Sequence, residues 1–541
     1  MRGEQPNAPD TDTQVTSPAG FPARTFYTEP GESALADPGT FPFTRGLHQL
    51  GFRKHSWVKK LISGYGTAEE TRERQIELWN SGQEGVGGTK PLHIVVDIPT
   101  ADGYDSDHPR AVAEVGLCGV AIDSVEDVKR LTEGMPLDKL TTTLILAGPA
   151  PMVLAMYIVV LEEAGIDIRG MGGQVWNNPL SEYVTSMWPT LSPKAASRTM
   201  TDTMKFCATR MPKFRAVNLD GYNVREAGTT AVQEAAYMIA EAVDLIRIAS
   251  RSGEVEPAAL ARTLTVSWAV HSDFFEEIAK FRAARQVYAE VLKEKFAITE
   301  IDALKLKAHA QTAGSTLTAQ TPQTNVARVA LEALAAVLGG CQSMHTSSYD
   351  EALGIPTSEA AQISLFTQHV IDKESGVTRV ADPLGGSWYL EDLTANMAQA
   401  IRAEVDRIEE LGGFTAAVDQ QDLQQRVADS AYAYEQKVNA GQVKIVGVNF
   451  LPTVPEPVDV FTVSQESQQK QIAFVKQVRR ERDNAVCEAA LAHVRAVAAD
   501  ETASVMPALI EAARARATLG EMVLAIQDVL GGYQRETVLA R

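Results

Sequence analysis

Arg215-Ala-Val-Asn-Leu-Asp-Gly-Tyr-Asn-Val-Arg-Glu-Ala-Gly228 reads as an apolar-leaning strand running into a Gly turn. Tyr222 and Asn223 stand at the strand's end, and Glu226 and Gly228 follow where a helix should begin. In a chain that alternates strands and helices, polar side chains crowded at the C-terminal end of a strand are where chemistry is placed. Outward from this stretch the same alternation continues. Strands are expected at His93–Ile98, Thr141–Ala147, Ala216–Asp220, Leu304–His309 and Cys341–His345. Helical periodicity marks Ala68–Asn80, Val125–Leu131, Thr230–Ser250, Phe274–Phe296, Val326–Leu338 and Thr357–Lys373. Strand–helix alternation over such a length predicts an α/β fold, a parallel (β/α)8 TIM barrel. A doubly wound sheet is the alternative, but no Gly-x-Gly-x-x-Gly follows the first strand.

The barrel is expected over residues 61–430. Residues 1–40, rich in Pro, Gly, Ser, Thr and Asp, read as an extended arm within an N-terminal segment 1–60. Residues 431–541 hold a Pro-spaced connector, Leu451-Pro-Thr-Val-Pro-Glu-Pro457, and charged helical stretches near Ser464–Ala499 and Met506–Leu530.

Hydrophobic content of 45% with 22% charged residues is ordinary for a folded, soluble chain of 541 residues. Fifty Lys and Arg against 69 Asp and Glu leave a net charge of −19, which argues against a nucleic-acid binder. No apolar run approaches the roughly 20 residues of a membrane span, and no signal peptide is evident. Cys118, Cys207, Cys341 and Cys487 lack any metal-like spacing, so no metal site is expected and free thiols in a cytoplasmic protein are.

Several expected strands carry polar residues where a packed barrel wants Val, Ile and Leu: Thr141-Thr-Thr143, Ala308-His-Ala-Gln-Thr-Ala313 and Gln342-Ser-Met-His-Thr-Ser347. Buried polar groups need partners, so a polar interior suggests that something polar threads the barrel. Edge or solvent-facing strands are the alternative.

The opening stretch resembles the signature of the adenosylcobalamin-dependent acyl-CoA mutases, the methylmalonyl-CoA mutase family, which reads Gly-Tyr-His where this chain has Gly221-Tyr222-Asn223. Further blocks resemble that family in its order: Gly103-Tyr-Asp-Ser-Asp-His-Pro109 with Glu114–Asp123, His309–Thr318, Gln342–Ala352, Ala381-Asp-Pro-Leu-Gly-Gly-Ser387 and Val446-Gly-Val-Asn449. The resemblance implies a barrel that admits the pantetheine arm of CoA along its axis and is closed at one end by a cobalamin domain. The acyl skeleton would rearrange through radicals. No Asp-x-His-x-x-Gly occurs in the chain. It therefore resembles the large subunit of the two-chain isobutyryl-CoA and 2-hydroxyisobutyryl-CoA mutases. A separate small cobalamin-binding subunit would supply the cobalt ligand, in a two-plus-two assembly around a homodimer of large subunits.

Carried over by motif, Tyr222 is the family's active-site Tyr, and Glu226 and Glu351 face the adenosyl and corrin side. A carboxylate at a helix start also favours the helix dipole. His309 and Gln311 lie two apart, so on a strand they share a face. In the family they hydrogen-bond the thioester carbonyl and its neighbourhood, where a neutral donor stabilises developing charge. Gln342 belongs with them. Arg262 matches an Arg on the CoA arm, and Arg53-Lys-His-Ser-Trp-Val-Lys-Lys60 matches a segment wrapped on CoA. Lys60 and the other cations there would meet CoA phosphates. His48 and His55 stand where Tyr and Arg are usual.

Substrate-setting positions differ. The Tyr and Arg that hold the free carboxylate of methylmalonyl-CoA correspond to Ile62 and Ser186. Losing that pair in a dry pocket disfavours a dicarboxylic acyl group by several kcal/mol. Trp176 replaces a Gln, and Asn223 donates a hydrogen bond but cannot carry a proton charge as His can. These changes predict a branched or hydroxylated acyl group without a free carboxylate. A non-catalytic, CoA-ester-binding barrel is the alternative.

Overall fold

A computed structural model of the chain describes residues 15–16, 18–23, 36–85, 88–185, 190–454 and 462–533. Its centre is a ring of parallel strands: β1 Val58–Lys60, β2 Lys90–Val95, β3 Leu140–Ile145, β4 Gly173–Val175, β5 Val217–Asp220 with Phe214–Arg215 as its run-in, β6 Leu264–Val270, β7 Ala308–Thr312 and β8 Ser343–His345. β2 pairs with β3, β3 with β4, and β4 with the Phe214–Arg215 run-in. β5 pairs with β6, β6 with β7, and β7 with β8. β8 returns to β1, with Ser343 opposite Val58 and His345 opposite Lys60. A parallel bridge from Ser63 to Ile94 joins the end of β1 to β2 and closes the ring. This is the expected (β/α)8 barrel.

Helix ends follow local sequence. Thr67 and Glu70 form a capping box before Ala68–Asn80, and Thr230 and Gln233 do the same for Ala231–Ser250. Gly340, at φ +85°, ends Asn325–Gly339 in the left-handed region. Phe274–Phe296 coincides with its expected range. Helix Ala150–Glu163 was not foreseen: it is buried from Ala150 to Leu161, lying between the barrel and helix Val505–Arg514. A helix wrapped in protein on all sides loses the amphipathic period by which helices are recognised.

Two expectations about local structure are corrected, and one alternative is excluded. The strand expected over Leu304–His309 is Ala308–Thr312, and Ile301–Leu304 forms turns. The helix after the Gly turn begins at Gly221, so Glu226 ends it instead of opening it. The polar strands are neither edge nor solvent-facing, since all lie in the closed ring. The first barrel strand also lies within residues 1–60.

Alternation then decides which polar residues enter the lumen. Lys59 points outward to Asp372 at 2.8 Å, whereas Lys60 Nζ crosses the interior to Thr143 Oγ1 at 3.3 Å. Thr142 faces out to the Tyr157 hydroxyl at 2.8 Å. The helices Gln465–Glu481 and Leu519–Leu530 clamp the loop after β2: Arg479 bonds Asp105 and Asp107 at 2.6 and 2.7 Å, and Thr518 Oγ1 donates to Asp105.

Candidate active site

At the C-terminal rim of the barrel, Asp220 ends β5 and caps the helix Gly221–Glu226, its Oδ1 accepting the Asn223 N–H at 3.1 Å. A Cβ at position 221 would lie 2.7 Å from the Ser267 carbonyl oxygen and 2.8 Å from the Trp268 ring, so only glycine lets β5 turn there. The turn lifts Tyr222 and Glu226 over the lumen toward Gly314, after β7. A Cβ at Gly314 would sit 3.4 Å from each of Tyr222 OH, Glu226 Oε2 and Glu351 Oε1. Tyr222 and Glu226 from one short helix thus converge with the sequence-distant Glu351 on one glycine. Glu226 accepts from the Ser315 N–H at 2.8 Å and its hydroxyl at 2.9 Å, and Glu351 accepts from the Ser348 N–H at 3.1 Å. Burial raises the pKa of Glu226, pushes Glu351 up to about 7, and with both carboxylates beside it lifts the Tyr222 phenol well above its ordinary value. Gln311 hydrogen-bonds Tyr222 from β7. His271, after β6, is held neutral, burial bringing its pKa to about 3.

Below this rim the lumen is polar. His309 is buried, with Nδ1 at 2.8 Å from Ser343 Oγ, while Nε2 has no partner among the described residues. Trp176 lies edge-on to His309 at 5.8 Å between ring centres, its indole N–H likewise unpartnered among the described residues. Ile62 stands on the other side, its N–H donating to His345 Nδ1 at 3.0 Å. Asn223 Nδ2 donates to Asp220 Oδ2 at 2.6 Å, and Ser267 Oγ reaches the same carboxylate at 3.4 Å. The Asn223 amide is therefore anchored to the strand end, leaving its oxygen toward other partners.

The residues that sequence reading passed over are His93, Thr143, Asp220 and His345. His93 is completely buried and both ring nitrogens lack partners among the described residues. Burial, then Lys60, hold its pKa well below the ordinary value; burial alone brings His345 to about 4 and Lys60 to about 7. The signal was present, since a His in the middle of an apolar strand is costly unless something polar meets it. Lys60, expected to meet CoA phosphates, is instead buried in the barrel interior against Thr143, away from the cations of the N-terminal mouth, because strand alternation turns it inward.

Cations gather at the opposite, N-terminal mouth. Arg215 and Arg262 precede β5 and β6, and the Arg215 guanidinium donates to the Arg262 carbonyl oxygen. Lys305 and Lys307 precede β7, and Asp302 is within ion-pair reach of both. Exposed His48 is close enough to Lys305 and Lys307 to feel their charge. Gln342 lies near this end too, its amide tied to the backbone: Oε1 accepts from the Ala308 N–H at 2.7 Å and Nε2 donates to the Gly340 carbonyl oxygen at 2.8 Å. It is not part of the chamber formed by His309, Trp176 and Ile62. Ser186 lies outside the described residues.

Among the described residues no cluster of His, Cys, Asp and Glu is placed to hold a metal ion, and no helix is long and apolar enough to cross a membrane. The barrel interior is lined by polar side chains, with a phenol and two carboxylates at its C-terminal end and cations at its N-terminal end. Such a lining matches the chemistry of a long, oxygen-rich, anion-headed molecule.

The family model described as methylmalonyl-CoA mutase matches residues 17–532. The 2-hydroxyisobutanoyl-CoA mutase large subunit of Aquincola tertiaricarbonis is 36% identical over 537 residues, 98% of this chain and 94% of that protein. The methylmalonyl-CoA mutase of Cereibacter sphaeroides (strain ATCC 17023) is 35% identical over 542 residues, covering 99% of this chain and 75% of that one. The mitochondrial methylmalonyl-CoA mutase of Homo sapiens is 35% identical over 538 residues, 99% and 70% respectively. Mutases are isomerases.

Proposed function

Since the chain belongs to the methylmalonyl-CoA mutase family, we propose that it is the large subunit of an adenosylcobalamin-dependent acyl-CoA mutase whose acyl group lacks a free carboxylate. The observation that carries this reading is the polar barrel interior: His93 and His309 nitrogens within it unpartnered among the described residues, cations at the N-terminal mouth, and Tyr222, Glu226 and Glu351 meeting at Gly314.

Arg215, Arg262 and Lys307 would hold the CoA phosphates, for which bidentate guanidinium contacts are the strongest partners. The pantetheine amides would run up the lumen. His309, neutral because it is buried, would donate from Nε2 to the thioester oxygen, with Gln311 beside it. A neutral donor stabilises partial charge on that oxygen without committing a proton. Ile62 and Trp176 would enclose the acyl carbons. Lys60, the cation beside them, already donates to Thr143 Oγ1 at 3.3 Å and has its pKa brought by burial to about 7, which makes it a weak counter-ion for a carboxylate.

Tyr222, Glu226 and Glu351 fit the adenosyl portion of the cofactor: hydroxyl and carboxylate oxygens crowd a spot kept open by a glycine, at the wide mouth of the barrel. Bound there, adenosylcobalamin would supply radical initiation through homolysis of its cobalt–carbon bond. Tyr222 would press against the substrate side of that spot, and the Glu226–Ser315 bonds would fix the rim. The cobalt ligand and the cap over the rim are assigned to a small cobalamin-binding subunit. The helices after residue 464, packed on the loop after β2, offer that partner a rigid shoulder.

The test is electron paramagnetic resonance of the chain reconstituted with a candidate small subunit and adenosylcobalamin, against a panel of acyl-CoAs. A coupled cobalt(II)–radical signal with a monoacid ester is expected. Faster conversion of methylmalonyl-CoA than of any monoacid ester would overturn the substrate assignment, and silence across the panel would favour a non-catalytic barrel.

A further inference from the structure

His93 on β2 is the least expected side chain in the lumen. It is fully buried, and neither ring nitrogen finds a partner among the described residues. The Lys60 ammonium on the adjacent strand donates to the Thr143 hydroxyl at 3.3 Å, and burial shifts its pKa with no acidic neighbour among the described residues. Buried donors and acceptors are almost always satisfied in a working protein, so an orphaned imidazole beside an ammonium lacking a counter-ion marks a ligand contact.

Height in the barrel identifies which part of the ligand. Ser63 N–H donates to the His93 carbonyl oxygen at 3.2 Å and Ser63 pairs with Ile94, so His93 is level with Ile62. His93 also sits opposite Thr143, and Trp176 N–H donates to the next carbonyl oxygen of that strand, on Leu144, at 2.8 Å. The Trp176 ring leans on His309. His93 and Lys60 therefore line the chamber enclosed by Ile62, Trp176 and His309, where the acyl group lies on the reading above.

The chemistry of this corner narrows the group. Burial keeps His93 and His309 neutral, so each ring offers one donor and one acceptor. Lys60, brought to about 7, is partly a neutral amine at physiological pH and can also accept as well as donate. A hydroxyl both donates and accepts, and so can pair with the donor side of one of these groups and the acceptor side of another. A carboxylate only accepts, so it would leave the acceptor nitrogens unmet, and a methyl group would leave the His93 ring without any partner.

We propose that Lys60 and His93 read a hydroxyl on the acyl group of the CoA ester, and so select a hydroxylated acyl chain over its plain branched analogue. This rests on the acyl-CoA mutase reading.

The test is equilibrium binding of CoA, isobutyryl-CoA, 2-hydroxyisobutyryl-CoA and methylmalonyl-CoA to the full chain. The hydroxylated ester should bind about tenfold or more tighter than isobutyryl-CoA, the factor that one well-made hydrogen bond supplies. Lys60→Met and His93→Leu should each erase that preference while leaving the affinity for CoA itself unchanged. His93→Asn, which keeps a donor and an acceptor in a smaller side chain, should retain part of it. Equal affinity for the two esters in the unaltered chain overturns the inference without any variant, as does a preference that survives both apolar substitutions. Tightest binding of methylmalonyl-CoA overturns it in favour of a carboxylate site. Failure of the chain to bind CoA at all would remove the acyl-CoA reading and this inference with it, whereas CoA binding without ester discrimination removes only the inference.

Discussion

Replacing Lys280 with methionine is expected to destabilise the chain by about 3–5 kcal/mol, the cost of breaking a buried ion pair by removing one partner. Lys280 has no exposed side-chain surface and donates to Glu234 Oε2 at 2.7 Å and to Glu277 at 2.6 Å, with the Ala269 carbonyl oxygen as a third acceptor. Two charge-assisted bonds at about 1.5–3 kcal/mol each give the same range. The other cation near these carboxylates, Arg225, stands 3.8 Å from Glu234 and 3.7 Å from Glu277. It belongs to the short helix that carries Tyr222 and Glu226, so the network also underpins the rim. Without Lys280 one carboxylate must bind a proton in the folded state, which raises its folded pKa above the unfolded value. A group shifted in that direction contributes stability below its unfolded pKa and loses it as pH rises through the folded one. The deficit of Lys280→Met relative to the unaltered chain should therefore grow between pH 5 and pH 8. Urea denaturation at several pH values measures it. The triple variant Lys280→Met with Glu234→Gln and Glu277→Gln should recover much of the loss, because a fully neutral, well-packed core no longer holds an unpaired charge. A deficit below about 1 kcal/mol, or one independent of pH, would refute the assignment of Lys280 as the counter-charge of this pair.

Tyr222→Phe removes the phenol at Gly314 while keeping the ring, and kcat in the reconstituted enzyme should fall on the order of a hundredfold with binding of the CoA ester little changed. Glu351, with a folded pKa raised to about 7, contributes stability that is lost as pH rises through that value, so Glu351→Gln should gain on the unaltered chain between pH 5 and pH 8 in denaturation experiments. Lys307→Met, at the cationic mouth, should weaken CoA binding by roughly tenfold and leave a pantetheine ester without phosphates unaffected, read by calorimetry at low salt.

Much of the fold was legible because its signals are local. Phe274–Phe296 and Ala68–Asn80 carry their helical period and their first-turn acids within themselves, and both appear where the pattern puts them. β1, β4 and β6 were not marked. β1 and β4 are three residues each, too short for a period, and β6 alternates Leu264, Val266, Trp268 and Val270 with Thr265, Ser267 and Ala269. The motif stretch Gly221–Gly228 likewise pointed to a rim, but its helix starts at the glycine because Asp220 caps it.

For the site, residue types and their order were what singled out Tyr222, Asn223, Glu226, His309, Gln311 and Glu351 as candidates, together with the changes at Ile62 and Trp176. What sequence alone determined is a barrel with polar strands and the family it belongs to, since alternation and ordered motifs are written along the chain. Only the tertiary structure decided that Lys60 points inward while Lys59 points outward to Asp372. It alone brought His93 level with Ile62, tied Gln342 to backbone, and drew Glu351 to Gly314 beside Tyr222 and Glu226. The reason is that a strand's two faces alternate with every residue, so a shift of one in register exchanges lumen for exterior. That register is set by partners far away in the chain, through the closure of the ring.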